Sequence, residues 1–236
     1  MIESSNKDQG KKKAPQVKTY PVPFVKGEII ENFTVETKQK SNLSKEKIIY
    51  HAYKYHSKGN ILEASKYYKQ FIENGFKDHR VFSNYGALLQ DLNKLEEAEI
   101  LQHKAIELEP KYAQAHSNIG YINLRLNKLK EAEISFRKAI EINPNFADAY
   151  SNLGIILKHH NQRQEAEKCF RQAIKLNPNF ADAYYNMGVI LNDLGQNIDA
   201  IKNYQIAIKL DSNLSKAKSR LMKSKIDICD WSDQEN

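Results

Sequence analysis

The sequence predicts an all-α fold, a solenoid built from one helical unit used over and over. Three observations carry this. Four segments, residues 79–112, 113–146, 147–180 and 181–214, align without gaps at a period of 34. Apolar residues within each segment recur at helical spacing, as Leu153, Leu157, Phe170 and Ile174 do in the third. Only six prolines and nine glycines interrupt 236 residues, which leaves room for long stretches of helix. Helices of about 14 residues are marginal alone, so such units must draw their stability from stacking on one another.

In chain order, residues 1–44 show no sustained period and mix prolines with lysine- and serine-rich stretches; they read as a mostly disordered tail. Residues 45–78 are a degenerate copy of the unit. They keep Ala52, Gly59, Ala64 and Tyr68 in register, but Phe71 replaces a small residue and Phe76 stands where later copies have proline.

The four clear copies fill residues 79–214 and share a set of small residues. Gly86, Gly120, Gly154 and Gly188 hold the eighth place, inside the first helix of each unit. Glycine there costs about 1 kcal/mol relative to alanine, so close helix–helix approach must offset it. Ala98, Ala132, Ala166 and Ala200 serve the same approach from the second helix, followed by Ala105, Ala139, Ala173 and Ala207. Pro110, Pro144 and Pro178 close the second helices. Asn145 with Asp148, and Asn179 with Asp182, are expected as N-cap pairs opening the helices that follow. Residues 215–236 are expected as a capping helix, its lysines forming a solvated face, followed by a short tail.

No catalytic arrangement is expected from the residues. Seven histidines are scattered, and none stands at a metal-ligand interval from a carboxylate or cysteine. His51 and His116 read as packing residues, and His159 and His160 point in different directions. Cys169 and Cys229 are too far apart in sequence to suggest a zinc site or a disulfide framework. No phosphate-binding glycine loop, nucleophile elbow or H-E-x-x-H motif occurs. The expectation is therefore no catalytic residue, no metal and no cofactor. The net charge of +7 is spread along the chain without a dense basic stripe, which argues against nucleic acid as the partner. No apolar run reaches the length of a membrane span and no secretory signal opens the chain, so a cytoplasmic protein without a membrane partner is expected.

One row of residues stands apart. The sixth place of every clear copy is asparagine: Asn84, Asn118, Asn152 and Asn186. Asparagine is only a middling helix former, so its recurrence in mid-helix has no rationale in propensity. Inheritance by duplication would leave such a row, and so would a binding surface. An amide offers both a donor and an acceptor, which suits the backbone of an extended peptide whatever its side chains.

The 34-residue unit with its small and apolar places resembles the tetratricopeptide repeat, a helix–turn–helix module. The resemblance implies antiparallel helix pairs stacked as a right-handed superhelix, about five repeats plus a C-terminal capping helix, with the first helices lining a concave groove. It makes the chain a protein–protein interaction module that holds an unstructured or extended segment in that groove on the four asparagines. A narrower resemblance rests on Tyr150-Ser151-Asn152-Leu153-Gly154 and on Cys229-Asp230-Trp231. The first is similar to the repeat arm of O-linked N-acetylglucosamine transferases and SPINDLY-like proteins, where an asparagine ladder binds substrate backbone, and the second to the junction between that arm and the glycosyltransferase domain. That likeness implies a substrate-recognition arm working with a separate glycosyltransferase catalytic chain; none of the catalytic region itself is matched. A third use of the array is as an assembly scaffold acting through its convex face.

Overall fold

The structure, a computed structural model, describes residues 43–228. The expected tail of residues 1–44, except its last two residues, and the Cys229-Asp230-Trp231 motif lie outside the described residues. Eleven helices follow one another among the described residues: α1 Lys45–Ser57, α2 Ile61–Glu73, α3 His79–Asp91, α4 Leu95–Leu108, α5 Ala113–Arg125, α6 Leu129–Ile142, α7 Ala147–His159, α8 Arg163–Leu176, α9 Ala181–Asp193, α10 Asn197–Leu210 and α11 Ser215–Asp227. Each odd helix from α1 to α9 packs most extensively on the even helix after it, and each even helix leans on the next odd one. Contacts of substance reach no further than the next helix but one, so the molecule is a helical solenoid.

Small residues set the spacing of the pairs. Ala98, Ala132, Ala166 and Ala200, with Ala105, Ala139, Ala173 and Ala207, are all wholly buried. The glycine place does what its cost suggests. A β-carbon on Gly120 would lie 2.8 Å from the Phe136 ring, and one on Gly154 equally close to Phe170. Both rings are themselves fully buried. The side chain missing from the first helix is replaced by an aromatic ring from the second.

Turns within the pairs use a second set of asparagines. Asn93, Asn127 and Asn161 lie at the end of α3, α5 and α7 with φ near 60°, in the left-handed region, where Gly59 and Gly195 also stand in their copies. Asparagine tolerates this conformation better than other residues with a β-carbon. It lets the next backbone N–H bond back into the finished helix, as Lys94 does to the Leu89 carbonyl at 2.8 Å.

The turns between pairs differ from expectation. Asn145 and Asn179 are not N-caps: Phe146 and Phe180 occupy the cap of α7 and α9, and neither helix has a side-chain cap bond. The working residues stand two places earlier. Asn143 and Asn177 accept hydrogen bonds from the backbone N–H of Asn145 and Asn179, at 3.0 and 3.1 Å. Pro144 and Pro178 have no N–H to give, so the asparagine before each proline closes the turn around it instead.

Candidate functional site

Side chains at the sixth place of α3, α5, α7 and α9 belong to the helices that come closest together along the array. Contact between α3 and α5, α7 and α9, and α9 and α11 marks the first helices as the inner row; no two second helices make comparable contact. The asparagines therefore sit in one register on successive inner helices. Their surroundings are unequal.

Asn118 is committed. Its Nδ2 donates to Ser83 Oγ on the preceding inner helix at 3.2 Å, and its Oδ1 accepts from Gln114 Nε2 at 3.1 Å. Its backbone carbonyl accepts from Gln90 at 3.4 Å. Asn84 neighbours the buried hydroxyl of Tyr53, which finds no full hydrogen bond. Asn152 and Asn186 make no side-chain hydrogen bond among the described residues, although Asn186 is only 9% exposed. The residue one turn earlier differs as well. The Gln114 amide donates and so holds the Asn118 carbonyl oxygen, turning Nδ2 toward Ser83. At the same place α7 and α9 carry Asp148 and Asp182, which accept but cannot donate when ionised.

The row of second places also carries the charge of the site. Arg80 closes on Asp78 through two nitrogens, at 3.1 and 2.8 Å. Lys216 reaches across one full repeat to Asp182 at 2.8 Å. Asp148 has no such partner: burial holds its carboxyl above the usual range and no cation opposes it. Beside the asparagines runs a more apolar row, Ala87, Tyr121, Ile155 and Val189, with Arg125 lying 5.9 Å over the Tyr121 ring. A cavity of about 350 Å³ opens between Tyr112, Gln114, Ile142 and Phe146, and its Gln114 is the one that bonds Asn118.

Elsewhere the structure offers less. His116 bonds the Pro110 carbonyl at 3.0 Å, and His160 lies 3.3 Å from Glu133. Cys169 is half-buried and its thiol is pushed up to about 11, chiefly by burial, so it is no activated nucleophile. Among the described residues no three or more metal-ligating side chains gather, and no helix is long and apolar enough to cross a membrane.

Family comparison agrees with the fold. Tetratricopeptide repeat profiles match residues 79–112, 113–146, 147–180 and 169–202, which together span more than half of the chain. No curated protein sequence matches it. Solved structures similar to it include PilF of Pseudomonas aeruginosa, 16% identical, with a TM-score of 0.70 over 79% of this chain and 85% of that one. MamA is 22% identical with a TM-score of 0.57, over 70% of this chain and 96% of that one. YrrB, described as a TPR protein with an unusual peptide-binding site, is 24% identical with a TM-score of 0.56, over 70% and 85%. At these identities the likeness shows the fold.

Proposed function

The chain belongs to the tetratricopeptide repeat family, and we propose that it is a protein–protein interaction module that binds an extended polypeptide along its inner helices. One observation carries this reading: a row of amides in a single register, two of which, Asn152 and Asn186, have their hydrogen-bonding capacity unspent. Their amide atoms are not among those buried away from solvent, so a peptide backbone can take the place of water on them without breaking a bond within the protein. YrrB, with its peptide-binding site, is a precedent in the same fold.

Neighbouring rungs should stand about 10 Å apart, the spacing of packed helices. An extended segment advances about 3.3 Å per residue, so successive rungs meet about every third residue. The uncompensated carboxylate of Asp148 favours a lysine or arginine in the segment near the third rung.

Selection from a displayed library of random 12-residue peptides tests the reading. Peptides that bind should lose about two orders of magnitude in affinity when Asn84, Asn118, Asn152 and Asn186 are all replaced by alanine, each amide contributing about 0.5–1.5 kcal/mol. Asn118→Ala alone should matter least, because that amide is already satisfied within the protein. Unchanged affinity in a folded four-alanine variant would move the site to the convex face and favour the scaffold reading. The narrower reading, a recognition arm serving a separate glycosyltransferase chain, is favoured by the asparagine register itself. It requires that such a chain bind the purified protein and that its protein substrates, though not the chain, be lost from the four-alanine variant.

A further inference from the structure

The cavity of about 350 Å³ stands where the first clear copy hands over to the second. Its apolar walls are Tyr112 and Ala113 at the start of α5, Ile142 at the end of α6 and Phe146 at the cap of α7. Lys111 and Asn143, both exposed, form its rim, and Gln114 joins it to the asparagine row.

The polar groups at the mouth are only partly used. Gln114 gives Nε2 to Asn118, which leaves Oε1 as an open acceptor. Asn143 Oδ1 accepts the Asn145 N–H at 3.0 Å, which leaves Nδ2 as an open donor. Lys111 forms no ion pair among the described residues; the Glu109 carboxylate accepts its backbone N–H instead, at 3.2 Å. The junctions at the same place in neighbouring copies differ. The preceding one has Asp78, His79 and Arg80 where this one has Tyr112, Ala113 and Gln114, and the next two replace Gln114 by Asp148 and Asp182 and Lys111 by Asn145 and Asn179. Of these four junctions, this one alone combines apolar walls, an amide at the second place and a cation.

Given that the groove holds an extended segment, we propose that this cavity anchors it by one large aromatic side chain. The occupant is a single side chain because the volume lies at the lower end of ligand pockets. It is aromatic because the walls offer two rings, Tyr112 and Phe146, against which a third can lie edge-on or offset. The Tyr112 hydroxyl is buried from solvent, so its ring and not its hydroxyl meets the occupant. It belongs to an extended segment because Gln114 Oε1 and Asn143 Nδ2 supply one acceptor and one donor at the mouth. These complement the backbone N–H and C=O that flank an inserted side chain. With Lys111 at the rim, the residue beside the aromatic one is acidic or neutral, not basic.

Two probes test the anchor. N-acetyltryptophanamide, titrated into the isotope-labelled chain and followed by NMR, should saturably shift the backbone amides of Ala113, Gln114 and Phe146, whereas N-acetylalaninamide should not. Ala113→Phe fills the cavity and should abolish the shift; Ile142→Trp fills it from the other wall and serves if the first variant fails to fold. The second probe is a 12-residue peptide selected on the unaltered chain, together with a copy in which its aromatic residue is alanine. That change should weaken binding about tenfold or more, and Ala113→Phe should weaken the parent peptide as much while leaving the alanine copy unaffected. Peptides that need the four asparagines, yet carry no aromatic residue or ignore the filled cavity, overturn the anchor and leave the groove reading standing. A tryptophanamide shift that survives both filled variants also overturns it. If no selected peptide needs the asparagines, the groove reading fails and the anchor fails with it, whatever the small probe does.

Discussion

Gly120 and Gly154 show how a single atom governs the packing of a pair, since a β-carbon at either place would press into an aromatic ring at 2.8 Å. The copy that starts at His79 departs from this scheme. Gln102 stands where the later copies have Phe136, Phe170 and Tyr204, and it is wholly buried. Its Nε2 donates to the Ser83 carbonyl at 2.9 Å, but its Oε1 has no partner. A buried acceptor left unpaired costs about 1–3 kcal/mol. Gln102→Phe should therefore stabilise the protein by about 1 kcal/mol, seen as a rise of a few degrees in Tm; a fall would mean that the space opposite Gly86 is shaped for the amide. Asp91, at the C-terminal end of α3, is a second local cost. Burial raises its carboxyl to about 6, with Arg125 opposing the shift. A carboxyl raised in the folded state holds its proton where the unfolded chain has released it. Stability should thus fall as pH rises from about 4 to about 6, and the loss persists at neutral pH. Asp91→Asn should raise Tm at pH 7 and leave it nearly unchanged at pH 4. An equal shift at both pH values would show that charge is not the cause.

At the scale of elements, the first helix pair is distinct. Tyr68 on α2 is wholly buried and stacks on Tyr85 of α3 at 5.2 Å, joining this pair to the rest of the array. Its hydroxyl lies 2.8 Å from His56 Nδ1, and His56 Nε2 is buried without a partner. His51 is stacked against Tyr55 and Tyr67, with Nδ1 likewise buried and unpartnered. Burial lowers both imidazoles, and Lys54 and Lys47 add to the shift at His51. A histidine lowered in the folded state contributes stability that is present above the unfolded value near 6.5 and is lost as pH falls below it. Amides of α1 and α2 should therefore lose protection between pH 7 and pH 5, with His56→Phe reducing the loss; equal protection at both values refutes this. These elements also show what the sequence discloses. A 34-residue period with alanines and glycines in fixed places leaves one way to stack, so helices, register and inner row were all legible. The caps were not, because Asn143 and Asn177 act through a proline turn whose geometry no spacing reveals. Nor was the inequality of the four asparagines. Asn118 alone is held by Gln114 and Ser83, contacts that the identical aligned sixth places do not disclose.

For the whole molecule, the pattern of contact decides how it comes apart. Among the described residues no helix touches another more than two places away to any extent, so they hold no central core whose loss unfolds everything at once. Each pair is held by its own interface and by one neighbour on either side, and stability sums along a line. Among the described helices, α1 with α2 and α11 have neighbours on one side only, and α2 meets α3 less extensively than any later second helix meets its successor. Amide exchange in the native protein should therefore proceed fastest in α1, α2 and α11 and slowest in α5 to α8, because local opening samples the weakest interfaces first. Ala166→Glu offers a sharper test. Ala166 on α8 is wholly buried where two helices meet, and a carboxylate there combines overpacking with an unpaired charge, a loss of about 3 kcal/mol or more. In a globular domain such a loss would lower protection everywhere. In this array it should cut the line, so that protection falls most in α7 and α8 while α3 to α5 retain theirs and denaturant unfolding splits into two transitions. A uniform fall in protection across all eleven helices, with a single transition, would show that the pairs are coupled over longer distances than their contacts suggest.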